Sequence, residues 1–308
     1  ITTPIWIFLL LLHACLEIAW RPSSSSWKEE GTIGDDGKPD SGGEKKRKIR
    51  IMTYNVQSCT GGRDGRRDGR RDVGRVGREI VSKEADVVLL QEVLSSQVDQ
   101  LSDACSLPYS SFFPLLPSSP STPSSSASSS ASSSRQGGER EEDEREEDEW
   151  GIAVLSRLPF DKDESGSSLV LPLPLRSWEG RQKRASLFCR MGGVWYGSAH
   201  LQNDFLCLES KEQVHELVSS SPRPFLVGVD SNLPRSSFVP LVSSLGAYDL
   251  CERVGNTFPS YLPLLRFDTV LSSFPVKVVD SATGLTTNDP CHGSDHLPVT
   301  VSLLISPL

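Results

Sequence analysis

The spacing of apolar and polar residues along the chain predicts many short strands. Residues 48–56 alternate polar and apolar side chains, as a half-buried strand does, whereas residues 86–93 form a continuous apolar run typical of a buried central strand. Comparable patterns predict further strands at 151–157, 184–191, 194–201, 225–232, 266–272, 276–281 and 298–305. Such a succession indicates sheets rather than a helical bundle.

Helices are fewer and come between the strands. Apolar residues recur at helical spacing in 72–84, where Asp72 would cap the first turn, and again in 95–105 and 208–219. Each of these helices would bury one face against a sheet. The pattern therefore predicts an α/β fold of layered sheets with helices on their outer faces.

Composition divides the chain into one folded region and segments that cannot form a core. Residues 1–20 contain an eight-residue apolar run, which fits a signal peptide or membrane anchor but lacks a preceding basic region. Residues 21–47 are rich in Ser, Gly, Asp and Lys and are typical of a disordered linker. One folded domain would then span 48–305, with a disordered Ser-rich and acidic insertion at 117–149.

The first segment also decides the expected location of the protein. A signal peptide or anchor would direct residues 48–305 to the secretory pathway or a membrane, with membrane association through the N-terminus. If residues 1–20 are instead a gene-model artefact, the cytoplasm or the nucleus is the alternative. The sequence leaves these readings open.

The formal net charge of −8 is concentrated in one segment. Residues 139–149 hold nine acidic residues and two arginines, so they account for −7 and leave about −1 for the rest of the chain. A nearly neutral folded region lacks the basic excess typical of a duplex-binding protein. The seven cysteines show no spacing typical of zinc ligands, which argues against a structural zinc site.

Polar residues end several of the predicted strands. A carboxylate, an amide or an imidazole follows an apolar run in each case, which is expected if the strand ends converge at one edge of a sheet pair. The residues concerned are Gln91, Glu92, His200, Asp230 and Asn232, and Asp295 and His296 precede the last strand. Hard oxygen ligands beside imidazoles suit Mg²⁺ or Mn²⁺ better than zinc.

Seven short motifs carry a family resemblance. They are TYN at 53–55, LQE at 90–92, GIAVLSR at 151–157, AHL at 199–201, VDSN at 229–232, RFD at 266–268 and SDH at 294–296. In type and order they resemble the endonuclease/exonuclease/phosphatase superfamily, over 48–305 without the insertion. Finer features resemble a bacterial-type branch of metal-dependent hydrolases, related to the nuclease-like domain of GPI-anchor lipid-remodelling proteins. The resemblance implies a DNase-I-like four-layer fold, a two-layer β-sandwich flanked by helices.

The resemblance also implies a divalent-metal site. Glu92 would be the principal ligand, with Asn55 and Asp295 beside it. Mg²⁺, or alternatively Mn²⁺, would polarise a phosphoryl oxygen and stabilise the leaving oxygen.

The implied reaction is attack of water on phosphorus. Asp230 would orient or deprotonate that water, while Asn232 and His200 donate hydrogen bonds to the phosphoryl oxygens. His296 would contact the phosphate, and Asp268 would hold its imidazole in one tautomer. The sequence does not decide whether Asp230 or His296 is the general base.

Two arginines complete the candidate site. Arg181 and Arg184 lie where the bacterial branch has a similar stretch, and arginine binds phosphate through two parallel hydrogen bonds. The resemblance thus implies substrate binding, although a solvated pair at the start of a strand would have the same sequence.

The substrate is not fixed by the resemblance. The superfamily includes nucleases, inositol-phosphate phosphatases, sphingomyelinases and tyrosyl-DNA phosphodiesterases. The apolar N-terminus and the weak net charge of the folded region favour a lipid head group or a small phosphoester over nucleic acid. The alternatives are an endonuclease or exonuclease, and a catalytically silent adaptor whose insertion binds partners. The complete set of candidate polar residues argues against the adaptor, and the oligomeric state is left open.

Overall fold

The structure is a computed structural model that describes seven stretches of the chain. They are residues 46–60, 72–115, 148–162, 167–175, 183–204, 207–284 and 293–305. The expected signal segment, nearly all of the linker and insertion, and Arg181 lie outside these residues. No helix in the described part is long and apolar enough to cross a membrane.

The described residues form twelve strands and four α-helices. The strands are β1 Arg47–Asn55, β2 Val87–Leu94, β3 Tyr109–Pro114, β4 Trp150–Ser156, β5 Ser168–Leu173, β6 Arg184–Met191, β7 Val194–His200, β8 Phe225–Asp230, β9 Tyr248–Asp249, β10 Asp268–Ser272, β11 Lys277–Thr283 and β12 Val299–Ile305. The helices are α1 Val73–Ser82, α2 Ser95–Cys105, α3 Leu208–Ser220 and α4 Arg235–Ser244. Asp72 caps α1 as predicted, since its side chain accepts a hydrogen bond from the Arg75 amide.

Two six-stranded sheets contain these strands. The first has the order β11-β12-β1-β2-β4-β3, and the second has the order β5-β6-β7-β8-β10-β9. In each sheet one parallel pair lies at the centre, β1 with β2 and β7 with β8, and antiparallel partners flank it. The predicted α/β fold class is confirmed.

Four layers follow from where the apolar side chains are buried. A shared core between the sheets includes Leu89 of the first and Leu226 of the second. A second cluster joins the outer face of the first sheet to α1 and α2, through residues such as Val76 and Leu101. A third cluster joins the second sheet to α3 and α4. The helices thus cover the outer faces, as the two-layer sandwich flanked by helices requires.

Several elements were not predicted. Strands β3, β5 and β9 and helix α4 are absent from the predicted set, because their patterns are weak. Strand β5 contains Pro172 and lies at a sheet edge, where a missing backbone donor is tolerated. Helix α4 contains Pro240 within its length, which sequence reasoning takes as a break.

The sheets approach closely beneath the edge where their central strands end. A Cβ atom at Gly228 would lie 2.6 Å from the Thr53 hydroxyl and 2.9 Å from Leu89 Cβ, so only glycine fits there. Beside it, the Gln91 amide nitrogen donates to the Ser198 hydroxyl at 2.9 Å, and that hydroxyl donates to the Leu90 carbonyl at 2.7 Å. This buried polar bridge fixes how the two sheets align.

The acidic insertion has a structured end. Asp148 accepts hydrogen bonds from the Ser96 amide and from the hydroxyls of Ser95 and Ser96, at the start of α2. A carboxylate suits this position because the first turn of a helix has unpaired N–H groups and a partial positive charge. The last two residues of the predicted insertion therefore belong to the fold.

Candidate active site

The ends of the four central strands meet at one edge of the sandwich. Asn55 ends β1, Glu92 lies near the end of β2, His200 ends β7 and Asp230 ends β8. The Asn55 amide nitrogen lies 3.1 Å from Glu92 Oε1 and 2.8 Å from Asp230 Oδ2. One amide thereby joins a carboxylate of the first sheet to a carboxylate of the second.

Glu92 lies in an irregular part of its strand. The register of β2 against β4 shifts between Gln91 and Val93, which is the mark of a β-bulge, and Glu92 has a left-handed backbone with φ 54°. A bulge turns a side chain away from the regular alternation of the strand. The backbone conformation is strained for a residue with a Cβ atom, and such strain clusters at functional sites.

Asp230 uses its two carboxylate oxygens differently. Oδ1 accepts the Asn232 amide at 3.2 Å and closes a short turn in which Asn232 has φ 49°. Oδ2 faces the site, where it lies 3.6 Å from His200 Nε2 and 3.9 Å from His296 Nε2. The Asn232 side-chain nitrogen donates to the Leu201 carbonyl at 3.0 Å.

His296 and Asp268 form a buried pair. His296 Nδ1 lies 2.8 Å from Asp268 Oδ2, so Nε2 is turned toward Asp230. The Thr257 hydroxyl accepts the Asp268 amide at 3.4 Å, and the Phe258 ring packs 4.9 Å from the imidazole. This is the orientation that the resemblance implied for the two residues.

Arg184 determines the tautomer of His200. Arg184 Nη1 lies 3.0 Å from His200 Nδ1, and because a guanidinium only donates, Nδ1 must be the acceptor. The ring proton of neutral His200 is then on Nε2, which points toward Glu92 Oε1 at 3.7 Å and Asp230. The Arg184 guanidinium also lies over the Trp150 ring at 5.5 Å. His200 therefore presents an N–H group to the site.

Asp295 is joined to the end of β1. The Gln57 side-chain nitrogen donates to Asp295 Oδ2 at 3.0 Å, and the backbone N–H of Gln57 donates to Asn55 Oδ1 at 3.0 Å. The Ser294 hydroxyl donates to the Asn55 carbonyl at 2.6 Å. These bonds bring the loop before β12 against the first sheet.

Burial dominates the electrostatics of the acidic groups. It raises the pKa of Glu92 and of Asp295, although the positive charge of His296 opposes the change at both. Burial also raises the pKa of Asp230 to about 7, against the opposing effects of His296 and the Asn55 hydrogen bond.

The two imidazoles shift in opposite directions. Burial lowers the pKa of His200 well below its usual range, and the charges of Arg184 and His296 lower it further. Burial alone would lower the pKa of His296 too, but Asp268 and Asp230 outweigh it and raise that pKa to about 10. At neutral pH His200 is therefore neutral and His296 is charged.

Residues 52–188 match the model of the Endonuclease/Exonuclease/phosphatase family. The match covers 137 of the 308 residues, and over this region the chain is similar to that family. No curated protein matches the chain significantly.

Solved structures of the family share the fold. A Beutenbergia cavernae endonuclease/exonuclease/phosphatase is 21% identical, with a TM-score of 0.65 over 84% of this chain and 72% of that one. The mannosyl-6-phosphatase Bt3783 of Bacteroides thetaiotaomicron is 17% identical, with a TM-score of 0.55 over 83% and 100%. D. rerio TDP2 complexed with a single-strand DNA product is 18% identical, with a TM-score of 0.53 over 84% and 99%.

The side chains fit a divalent cation, which the family typically uses. Four carboxylates, Glu92, Asp230, Asp268 and Asp295, lie at this edge, and burial raises the pKa of Glu92, Asp230 and Asp295. One carboxylate oxygen of Asp268 is buried without a hydrogen-bond partner in the described part of the chain. Oxygen donors of this kind suit Mg²⁺.

A second group of side chains could also bind a metal ion and is an alternative to the predicted ligands. Donor atoms of Asp230, Asp268 and His296 lie within 4.8 Å of one another. Asp268 holds His296 Nδ1, and the raised pKa of His296 means that a metal would have to displace the proton from Nε2. We therefore keep Glu92, Asn55 and Asp295 as the predicted ligands, although the Asn55 amide oxygen faces the Gln57 amide in this arrangement.

The structure brings together most of the residues singled out from the sequence. Nine of them lie at this edge, namely Asn55, Arg184, His200, Glu92, Asp230, Asn232, Asp268, Asp295 and His296. Arg184 contacts His200, while Arg181 lies outside the described residues, and phosphate binding by both remains a prediction.

Four contributors were missed by sequence reasoning. Gln57 and Ser294 hold the candidate ligands, and Trp150 and Phe258 pack against the two imidazoles. Ser294 lies inside the SDH motif and Trp150 directly precedes the GIAVLSR motif, so position was an available signal for both. Gln57 and Phe258 lie outside the seven motifs.

Proposed function

We propose that this protein is a member of that family and a Mg²⁺-dependent hydrolase that cleaves a phosphoester by attack of water on phosphorus. The observation that carries the proposal is the convergence on Asp230 Oδ2 of Asn55, His200 and His296, beside Glu92. The bound Mg²⁺ would supply positive charge that stabilises negative charge on the phosphoryl oxygens. Glu92, Asn55 and Asp295 would hold it.

Asp230 is the residue best suited to activate the water. Its pKa of about 7 gives a fraction of carboxylate at neutral pH and leaves it basic enough to take a proton. His296 holds its proton to a pKa of about 10, which argues against it as the base in the free enzyme. These pKa values support Asp230 over His296 as the general base, the choice that the sequence left open.

The imidazoles suit the developing negative charge. His200 presents Nε2–H because Arg184 occupies Nδ1, and charged His296 presents Nε2–H because Asp268 occupies its Nδ1. Donors that are oriented before the reaction stabilise a transition state more than solvent does. Asn232, two residues after Asp230, is the further hydrogen-bond donor in this proposal.

A small or lipid phosphoester is our preferred substrate class. One structural neighbour is named a mannosyl-6-phosphatase and another is complexed with single-strand DNA product, so the shared fold does not choose between them. The choice rests on charge, because the chain outside 139–149 sums to about −1. A nuclease is the alternative.

Release of nitrophenol from bis-p-nitrophenyl phosphate tests the proposal. Activity should appear with Mg²⁺, vanish on chelation with EDTA, and return when Mg²⁺ is added in excess. A panel of phosphomonoesters, phospholipids and single-stranded DNA then defines the substrate. Absence of hydrolysis of every panel member with Mg²⁺ or Mn²⁺ would favour the silent adaptor.

A further inference from the structure

An apolar loop lies beside the candidate site. Residues 257–265 leave and re-enter the fold at one point, where the amides of Thr257 and Phe258 both donate to the Leu265 carbonyl, at 2.7 and 2.9 Å. The Leu264 and Leu265 amides donate back to the Phe258 carbonyl at 2.9 Å. The base of the loop is therefore closed by backbone hydrogen bonds.

The same loop is hydrogen-bonded to residues of the candidate site. The Ser260 amide donates to the Asp295 carbonyl at 2.6 Å, and the Ser260 hydroxyl donates to the Ser294 carbonyl at 2.8 Å. The Phe258 ring packs against His296. Whatever the tip of the loop contacts is thus held close to the candidate metal ligand Asp295 and to His296.

The tip exposes apolar side chains that the fold does not need. Tyr261 and Leu262 are 58% and 57% exposed, more than any other large apolar residue in the described part of the chain. They come directly after Ser260, which is itself buried. Residues 255–265 contain no charged residue, so the tip offers no cation to a nucleic-acid backbone.

We propose that Tyr261 and Leu262 bind the apolar chain of the substrate, and that this protein acts on phosphoesters of lipid type. The inference rests on the proposed function and narrows its substrate class. An alkyl chain leaving a phosphate at the site would cover the exposed tip and bury both side chains, which is favourable in water. A polar sugar phosphate would gain nothing from them.

Two nitrophenyl diesters that differ only in chain length test the proposal. We expect wild-type protein to cleave hexadecyl p-nitrophenyl phosphate, in mixed micelles, with a higher kcat/KM than methyl p-nitrophenyl phosphate. Tyr261→Ser combined with Leu262→Ser should lower the ratio of kcat/KM for the hexadecyl ester to kcat/KM for the methyl ester about ten-fold, while activity on the methyl ester is kept. Tyr109→Ser with Leu169→Ser is the matched control, because those side chains are exposed on edge strands away from the loop.

Each result decides the inference. An unchanged ratio in the loop variant would overturn it, and so would an equal loss on both esters, since the loop would then only support the site. A selective loss on the p-nitrophenyl ester of thymidine 5′-phosphate would assign the tip to nucleobases instead. These outcomes leave the hydrolase function intact.

A binding measurement separates this inference from the proposed function. Decyl phosphate and methyl phosphate, titrated calorimetrically in Mg²⁺ buffer, need no catalysis. Tighter binding of decyl phosphate that is lost in the loop variant and kept in the control supports the inference, even if neither ester is cleaved. Equal affinities for the two phosphates in wild-type protein would overturn it.

Discussion

The two sheets share one plan but contribute different chemistry. Each has a central parallel pair whose carboxyl ends reach the site, Asn55 and Glu92 in the first sheet and His200 and Asp230 in the second. Glu92 keeps 27% of its side chain exposed, whereas Asp230 is 1% exposed. The first sheet thus offers an accessible carboxylate and the second a buried one.

In the proposed function, this difference in exposure would let Glu92 bind the ion and Asp230 activate the water. An ion arriving from solvent needs a carboxylate that it can reach, while a general base needs burial to raise its pKa. Neither sheet holds a complete site. The Asn55–Asp230 bond and the bridge from Gln91 to Ser198 align the two halves.

Removing the accessible carboxylate should have the largest effect. Glu92→Gln keeps the shape but removes the charge, so we expect turnover to fall about 10³-fold and Mg²⁺ affinity to weaken. Nitrophenol release at saturating Mg²⁺ and calorimetric titration of Mg²⁺ measure the two effects. Glu84→Gln, an exposed carboxylate that pairs with Arg50, is the control. Wild-type turnover in Glu92→Gln would remove Glu92 from the site.

The second prediction concerns the pair that joins Asp268 of the second sheet to the loop entering the first. Asp268→Asn and His296→Ala should each lower kcat about 10²-fold. Because the carboxylate acts through the imidazole, the double variant should be little worse than either single one. Losses that multiply to about 10⁴-fold would mean that the two residues act independently.

A pH-dependent stability difference should mark the buried carboxylate. The folded pKa of Asp230, about 7, lies above its ordinary value of 3.8, so the folded state holds the proton more tightly. This stabilisation is complete below the ordinary pKa and is lost as pH rises to about 7.

The measurement is a set of melting temperatures in chelated protein. Between pH 4 and pH 7, wild type should lose on the order of 5 °C relative to Asp230→Asn, which has no such proton. Asp161→Asn, at a carboxylate that accepts the backbone amides of Gly192 and Gly193 away from the site, is the control variant and should follow wild type. Parallel curves for wild type and Asp230→Asn would contradict the raised pKa.

The smallest effect should come from the bridge between the sheets. Ser198→Ala removes the hydroxyl that accepts the shortest of three hydrogen bonds from the Gln91 side-chain nitrogen, while those to Thr53 Oγ1 and the Leu89 carbonyl remain. The loss should cost about 1 kcal/mol in urea unfolding. Ser186 on the neighbouring strand provides a matched control. Its buried hydroxyl has no hydrogen-bond partner among the described residues, so Ser186→Ala should cost nothing or stabilise. Equal losses would show that the bridge does not hold the sheets.

The central strands could be predicted because burial on both faces leaves a clear pattern. Residues 87–90 and 225–229 are continuous apolar runs, and both form the middle of a sheet. Edge strands β3 and β5 have mixed burial and no such pattern. Helix α4 was hidden by Pro240, although its burial of Phe238 and Val242 stabilises it.

The ionisable residues of the site could be predicted from the motifs, but their relations could not. Nothing local indicates that Arg184 contacts His200 across neighbouring strands, or that Gln57 reaches Asp295, 238 positions along the chain. Such contacts depend on sheet order and loop placement. Only the three-dimensional arrangement therefore shows that Arg184 contacts His200 and that Asn55 joins Glu92 to Asp230.

At Glu92 the side chain that suits the candidate site is unfavourable for the backbone conformation that the fold imposes there. A left-handed residue in a bulge is most easily a glycine or an asparagine, so a glutamate there lowers the stability of the fold. Replacement by glycine would relax the chain while destroying the candidate site. A copy of this gene that is selected for folding but not for hydrolysis is therefore expected to tolerate glycine or asparagine at position 92.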